Sequence, residues 1–559
     1  MKQTRRDFFK KSSLGLGVCA ICGEGALTTG SRFLGAGENT PSFPLYEEGK
    51  YQKINSNERI YHVSCSIDMF EMNGDLPEIW RDSGVTDAWL SVWFYGYFPF
   101  TWEKVDYWLG RLKEAGLRPH LLSVPFCHGG GALDPRTEGF PNLPPEHWKV
   151  AKRWNGSENW GWSWHSPTDI EGANAIRILH DRYGTFDYFL DDDFRFATAP
   201  GDIGGCVCDE CRKDFLNKSG LDDSQWEEVM DDIRNNSETP LLHAWVDYFC
   251  DRLTQCFRKW QSAVSDVDVG IMVMYMGCER GGVRLDDYKD ALFRVGEGGF
   301  SDSWYNSDKT KTIELYSSLL HRRFCQPGRA FSETTVFPEK SLSAENMASK
   351  LSISTISDVR NTMFMSGMVP IDAAHWPILA KRMAREKEWH SRLLGARPAG
   401  PFKHFYGTSS RYCGGENAYS LFLAIGVPFE VCNEIPADGV TFLSDADAKA
   451  IERGALSASG SRLIARFESA AGRFVKVSED YESLFSFRRS ILMNLQEDKI
   501  PYVEEEIPIV LAWYPEVNLI YVWNISREEK TFHIHRGDKL FAMKLAALDS
   551  QVVDLKEIS

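Results

Sequence analysis

The sequence predicts a closed (β/α)8 TIM barrel of the α/β class, followed by a small α/β domain and a C-terminal antiparallel β domain. Three observations carry this reading. Between residues 59 and 397, eight short apolar runs are separated by helix-sized stretches, the pattern of parallel strands joined by crossover helices. No G-x-G-x-x-G follows the first run, which argues against an open dinucleotide-binding sheet. After the break Arg397-Pro398-Ala399-Gly400-Pro401, residues 402–490 mix strand and helix, and residues 491–559 become strand-rich with alternating apolar positions.

Taken in order, the barrel strands are expected at 60–69, 85–95, 118–126, 186–191, 269–276, 299–305, 329–332 and 363–371. Amphipathic helices are expected at 102–117, 168–183 and 241–264, with a closing helix near 378–395. The small α/β domain is read from runs at 421–427, 429–431, 439–443 and 461–466, with a helix starting at Asp445-Ala446-Asp447-Ala448. The last domain is read from runs at 509–514, 518–523, 531–535 and 539–545.

The N-terminus reads as an address. Thr4-Arg5-Arg6-Asp7-Phe8-Phe9-Lys10 precedes a mildly apolar stretch at 14–27, as in a twin-arginine export signal. That stretch is too short and Gly-rich to span a bilayer. Residues 28–58 read as a linker. The expected location is periplasmic or extracellular, and the residues before Cys19 and Cys22 match a lipidation site poorly. Export in the folded state suits a protein that loads a metal onto reduced thiols first.

Composition narrows the function classes. The chain has 559 residues, 43% hydrophobic and 25% charged, enough apolar content for a large core. A net charge of −16 argues against nucleic acid as a partner, because phosphates need Lys/Arg surfaces. The 18 Trp are frequent enough to serve both a core and a sugar site, where the apolar face of a pyranose stacks on an indole. The 13 Cys are an odd number, and several are too closely spaced for a disulfide framework.

Catalytic side chains of a barrel project from the C-terminal ends of its strands. The fourth strand leads into Asp191-Asp192-Asp193-Phe194-Arg195, and the seventh into Ser332-Glu333-Thr334. Three adjacent Asp repel one another, so function explains them better than folding does. Carboxylates from strands four and seven are what glycoside hydrolysis requires, one to protonate the leaving oxygen and one to attack the anomeric carbon or activate water. Arg195 either orients the acidic cluster or is its salt-bridge partner. Arg195, with Trp93 and Tyr95 after the second strand, Trp304 after the sixth, and Asp372, His375 and Trp376 after the eighth, are the candidate substrate contacts, and Asp302 also ends the sixth run. Core packing is an equal reading for any single Trp. The run Cys206-Val207-Cys208-Asp209-Glu210-Cys211 offers three thiolates to a tetrahedral structural zinc, with Cys127 after the third strand, or His128 in its place, as the fourth ligand. Buried reduced thiols or disulfides are the alternative.

These residues together resemble glycoside hydrolase family 42, the β-galactosidase family. The acidic cluster, the Gly205-Cys-x-Cys-x-x-Cys run, His165-Ser166-Pro167, Arg182-Tyr183-Gly184 and Ser332-Glu333-Thr334 carry the resemblance. So do Ala424-Ile425-Gly426-Val427-Pro428-Phe429 and Phe442-Leu443-Ser444 in the middle domain. The resemblance implies a retaining glycosidase with an acid/base on strand four, a nucleophile at Glu333, a zinc cluster and a trimer. The family has Asn-Glu where this chain has Asp192-Asp193, so Asp193 takes the acid/base place with a side chain one methylene, about 1–1.5 Å, shorter. Galactose specificity is therefore not carried over. Two other readings remain: a non-catalytic carbohydrate-binding barrel, and a metal-dependent exported oxidoreductase.

Overall fold

The computed structural model describes residues 53–94, 98–124, 150–164, 168–184, 188–190, 194–196, 202–274, 276–296, 298–413, 418–458 and 460–556. The stretch read as an export signal, most of the expected linker, Tyr95, Cys127, His128 and Asp191–Asp193 lie outside the described residues.

Eight parallel strands close into a barrel: β1 (Ile60–Cys65), β2 (Asp87–Phe94), β3 (Arg118–Val124), β6 (Tyr188–Leu190), β7 (Val269–Met274), β8 (Leu292–Gly296), β9 (Ala330–Thr335) and β10 (Asn361–Met365), with β10 pairing back to β1. Between β3 and β6 an antiparallel hairpin, β4 (Val150–Lys152) and β5 (Glu158–Trp164), occupies part of a stretch read as loop. Its tip carries Asn155-Gly156, with Gly156 at φ 78, a tight-turn signal that the sequence displays.

The crossover helices form for ordinary reasons. Pro240–Ala263 starts with Pro at its first turn, and Thr239 caps it by accepting the Leu242 N–H at 3.1 Å. Its buried face, Leu242, Trp245, Phe249, Leu253, Cys256, Phe257 and Trp260, follows helical spacing and packs into the core between barrel and helices. Thr168–Tyr183 coincides with its expected span.

The sixth strand is a correction. Residues 299–305 form a loop and the short helix Asp302–Tyr305, and the strand is Leu292–Gly296. An arginine in the middle of that run, Arg294, hides it from a hydrophobicity reading, yet Arg294 is fully buried. Backbone N–H groups of Gly298 and Gly299 then donate to Glu314 Oε1. A Cβ on Gly299 would lie 2.7 Å from that oxygen, so glycine is required there.

A polar network closes the barrel floor at the N-terminal ends of the strands. Asp87 accepts from His120 Nε2 at 2.8 Å and from Arg118 Nε at 2.5 Å. Trp89 Nε1 donates to His62 Nδ1 at 3.1 Å, which leaves the His62 proton on Nε2, facing Asn361 Oδ1 at 3.2 Å. Asn361 in turn donates to the carbonyls of Gly328 and Ala330. Trp89 stacks on His120, and Phe331 packs against His62. Burial of His62 lowers its pKa to about 4.

The five-stranded parallel sheet has the order β12-β11-β13-β14-β15: β11 (Phe402–Phe405), β12 (Phe429–Cys432), β13 (Val440–Leu443), β14 (Arg462–Ala465) and β15 (Val475–Lys476). Phe402, Phe422 and Phe442 from this region share a core with Leu315, Tyr316 and Leu319 of the barrel helix Asp308–His321. The final β unit has two three-stranded antiparallel sheets. One is β16 (Tyr502–Val503), β19 (Lys530–Arg536) and β20 (Lys539–Leu545); the other is β17 (Ile509–Tyr514), β18 (Leu519–Asn524) and β21 (Ser550–Asp554). Val503, Leu511, Val522, Phe532, Ile534 and Met543 fill the space between them. This unit meets the last barrel helix, Trp376–Leu393, through polar contacts: Tyr521 Oη donates to Glu386 at 2.8 Å, and Arg382 pairs with Glu386 at 2.7 Å and Asp549 at 2.8 Å. Among the described residues no helix is long and apolar enough to cross a membrane.

Candidate functional site

Alternation along β9 sets the site. Ser332 turns outward, where its hydroxyl meets Ser354 of the helix Ala344–Ile356 and Thr362. Phe331 therefore turns inward to the floor, and Glu333 and Thr335 turn inward above it. Glu333 is 3% exposed. Thr335 Oγ1 donates to Glu333 Oε1. Arg294 Nη2 lies 3.4 Å from Glu333 Oε2. The same guanidinium rests on two thioether sulfurs of β10, Met363 at 2.7 Å and Met365 at 3.7 Å. A carboxylate and a guanidinium buried this deeply must balance each other, because either charge alone in an apolar interior costs several kcal/mol, about 3–5 when one partner is removed. Sequence reasoning singled out Glu333 as a candidate and did not single out Arg294. The available signal was the run Leu292-Phe-Arg-Val-Gly296, a strand-like stretch with one inward charge, ended by the glycines that follow.

The acidic triplet is bracketed by described residues. Leu190 faces Ile271 in register, and the Phe194 N–H donates to the Met272 carbonyl at 3.0 Å, so both flanks of the triplet are tied to β7. Phe194 packs against Phe257, Trp260 and Tyr288, and Phe196 against Phe249. Arg195 between them is buried. Asp193, the expected acid/base, and Asp192 beside it lie outside the described residues, as does Tyr95.

The remaining expected contacts divide. Trp304 is half-buried on the short helix Asp302–Tyr305, edge-on to Phe300 at 5.9 Å and beside Met272 and Phe337, on the C-terminal side of the barrel. Asp302 accepts from Ser343 N, Ser343 Oγ and Asn346 Nδ2, all within 2.9 Å, so it holds the start of the helix Ala344–Ile356. Trp93 is buried at the end of β2, beyond a register shift. Trp376 is a correction: it is 1% exposed, packed between Trp80 and Phe364 in the barrel–helix core, and offers no face to a ligand. Asp372 and His375 lie just before it in the chain. Asp372 caps a helical turn by accepting the Ala374 N–H at 3.0 Å and pairs with Lys340 at 3.5 Å, and His375 Nε2 is 2.9 Å from the Leu342 carbonyl. Both are occupied in holding the loop that follows β10.

Cys206, Cys208 and Cys211 converge, their Sγ atoms all within 4.8 Å of one another. Cys208 is the residue before the helix Asp209–Ser219 and Cys211 lies in its first turn, which is why C-x-C-x-x-C folds onto one point. The Lys152 N–H donates to Cys206 Sγ at 3.2 Å, and Arg252 Nη1 to Cys211 Sγ at 3.3 Å. A hydrogen bond with Cys211, together with burial, pushes the Cys206 thiol pKa up. Three soft sulfurs with N–H and guanidinium donors behind them form a donor set that suits a thiophilic metal.

No family model and no curated protein sequence matches the chain. Solved structures do. A cold-adapted β-galactosidase from Rahnella sp. R3 superposes with a TM-score of 0.55 at 10% identity, over 90% of this chain and 99% of that one. A β-galactosidase from the psychrophilic Marinomonas ef1 gives 0.57 at 9% identity, over 88% and 99%. Gan42B, a GH42 β-galactosidase, gives 0.55 at 11% identity, over 90% and 99%. From its barrel through both C-terminal units, this chain has the fold of the GH42 β-galactosidases.

Proposed function

We propose that the protein is an exported glycoside hydrolase that works with retention of anomeric configuration. The observation that carries this reading is Glu333, turned into the barrel from strand seven beside the Arg294 guanidinium, in a chain with the fold of known β-galactosidases. A guanidinium next to a carboxylate favours the anionic, nucleophilic form. In the first step a Glu333 oxygen bonds to the anomeric carbon as the bond to the leaving oxygen breaks, and Asp193 gives that oxygen its proton. In the second step Asp193 takes a proton from water, the water oxygen bonds to the anomeric carbon, and Glu333 leaves as carboxylate. Retention requires the two carboxyl groups to be about 5–5.5 Å apart. Trp304 offers the partly exposed ring against which a sugar would stack.

Cys206, Cys208 and Cys211, with Cys127, would hold a structural zinc that pins the loop after strand four, next to the acidic triplet. The twin-arginine signal would deliver the folded, metal-loaded chain across the inner membrane. The test is trapping with 2-fluoro glycosides across a panel of sugars. A covalent adduct on the Glu333 peptide, seen by mass spectrometry, supports the reading. Turnover with inverted product and no adduct ends it. One observation favours a second reading, a binding protein without turnover: Asp193 stands where the family has Glu, and a displacement of about 1 Å can cost 10²-fold in rate. Sugar binding with no hydrolysis on any substrate of the panel would select it.

A further inference from the structure

A second cluster of metal-binding side chains lies in the final β unit, on residues that the glycosidase reading does not use. His533 and His535 are two apart on β19, so both rings emerge from its solvent-facing side, while Phe532 and Ile534 between and beside them are buried. The strand β16 runs antiparallel beside them, with Tyr502 opposite His535 and Val503 opposite Ile534. The next two residues, Glu504 and Glu505, therefore arrive beside the two imidazoles. Glu505 Oε1 is 2.7 Å from His533 Nδ1, and Glu504 Oε2 is 3.6 Å from His535 Nε2. Ligand atoms of Glu504, Glu505 and His533 all lie within 4.8 Å of one another.

We propose that Glu504, Glu505, His533 and His535 form a binding site for a divalent transition metal of the zinc class. The donor set is two imidazole nitrogens and two carboxylates, which zinc accepts. Ligand atoms at 2.0–2.2 Å around a tetrahedral ion are about 3.4 Å apart, so the His533–Glu505 contact opens by under 1 Å, while His535, 3.6 Å from Glu504 but outside the convergent group of the other three, must swing inward to complete the set. Two adjacent carboxylates repel each other, and a dication between them removes that repulsion.

The parts around the ligands are already fixed. The Glu504 N–H donates to the His533 carbonyl at 2.9 Å, and the His533 N–H donates to Glu505 Oε2 at 2.7 Å. The Tyr502 ring lies parallel to His535, 3° between planes and 5.1 Å between centroids. From behind, the buried Arg488 guanidinium donates to the carbonyls of Val503, Glu504 and Glu505. Backing of this kind is what holds metal ligands in place. The side chains remain open to an incoming ion, with Glu505 33% and His533 38% exposed. The bound ion would tie the segment joining β16 to β17, and so the seam between the two sheets, to β19.

The test is zinc content and affinity of the full-length protein, with Zn2+ alone as the ligand. The wild type is expected to hold one more zinc per chain after dialysis than the variant His533→Ala/His535→Ala, with the cysteine-bound zinc equal in both. Cobalt at this site should give weak d–d bands without the thiolate charge-transfer absorption of a cysteine site. Glu505→Gln, which keeps the shape of the side chain, should bind this zinc at least about 10-fold more weakly while its metal-free melting temperature stays unchanged. Equal zinc in wild type and double variant, or unchanged affinity in Glu505→Gln, overturns the site.

Discussion

Among the described residues, the barrel interior holds two buried charge clusters, two residues apart along β9, and they are built differently. At the floor, Asp87 is tied to His120 and Arg118, and His62 is wired through Trp89 and Asn361 to the neighbouring backbone. The network crosses β1, β2, β3 and β10, and aromatic rings close over it. About 6–7 Å higher, Glu333 faces Arg294 at 3.4 Å, across adjacent strands, with soft thioether sulfurs behind the guanidinium. The floor spends its polar atoms on one another and fastens strands. The upper pair lies nearer the C-terminal end of the barrel, where enzymes of this architecture place their reacting groups. Buried charge in this molecule thus serves stability below and the proposed reaction above.

Substitutions can break or sharpen that contrast. The largest effect is expected for Glu333→Gln: kcat of the folded fraction on a responsive glycoside falls by at least about 10³-fold, and removing the anion beside Arg294 costs up to about 3–5 kcal/mol of stability as well. An unchanged kcat in the folded fraction would assign Glu333 to the structural class. The floor should behave in the opposite way. Asp87→Asn leaves His120 and Arg118 without their anion and should cost about 3–5 kcal/mol in urea unfolding, with kcat of the folded fraction unchanged.

Arg294→Met tests the link between the two carboxylate states: kcat should fall about 10²-fold and the acidic limb of the pH–rate profile should move to higher pH. Rescue by Arg294→Lys would place the effect in charge rather than packing. The floor also has a pH signature. Folded His62 stays neutral down to about pH 4, whereas the unfolded chain takes up that proton near 6.5. Protons therefore favour the unfolded state between those values, and stability should fall by about 1–3 kcal/mol as pH drops from 6.5 to 4. His62→Gln should flatten the slope in that window. The smallest effect is expected for Trp304→Ala, a rise in KM of about 10-fold at nearly constant kcat.

How much of this the sequence revealed depended on which side of a strand or helix was in question. Periodicity located the helix Thr168–Tyr183 and seven of the eight barrel strands, because an apolar stripe facing a core leaves a repeating pattern. It failed at β8, where the barrel's interior demanded a charge, and a single arginine broke the apolar run. It also placed Trp376 at the mouth because of its position after strand eight. The chain turns into a helix there, and the indole drops into the core against Trp80 and Phe364. The β4–β5 hairpin was legible through Asn155-Gly156 and passed over as loop. Glu333 became a candidate because it ends an apolar run. Arg294 did not, since the cross-strand register that brings it beside Glu333 is a property of the closed barrel.

Glu386 has a consequence for the chain as a whole. Its carboxylate is fully buried on the last barrel helix, and one of its hydroxyl partners, Tyr521, comes from a strand more than a hundred residues later. A fragment ending after that helix would keep the acid and lose the phenol. The barrel and the final β unit therefore share a wall, whose outer side is completed only when Tyr521 docks against the last barrel helix.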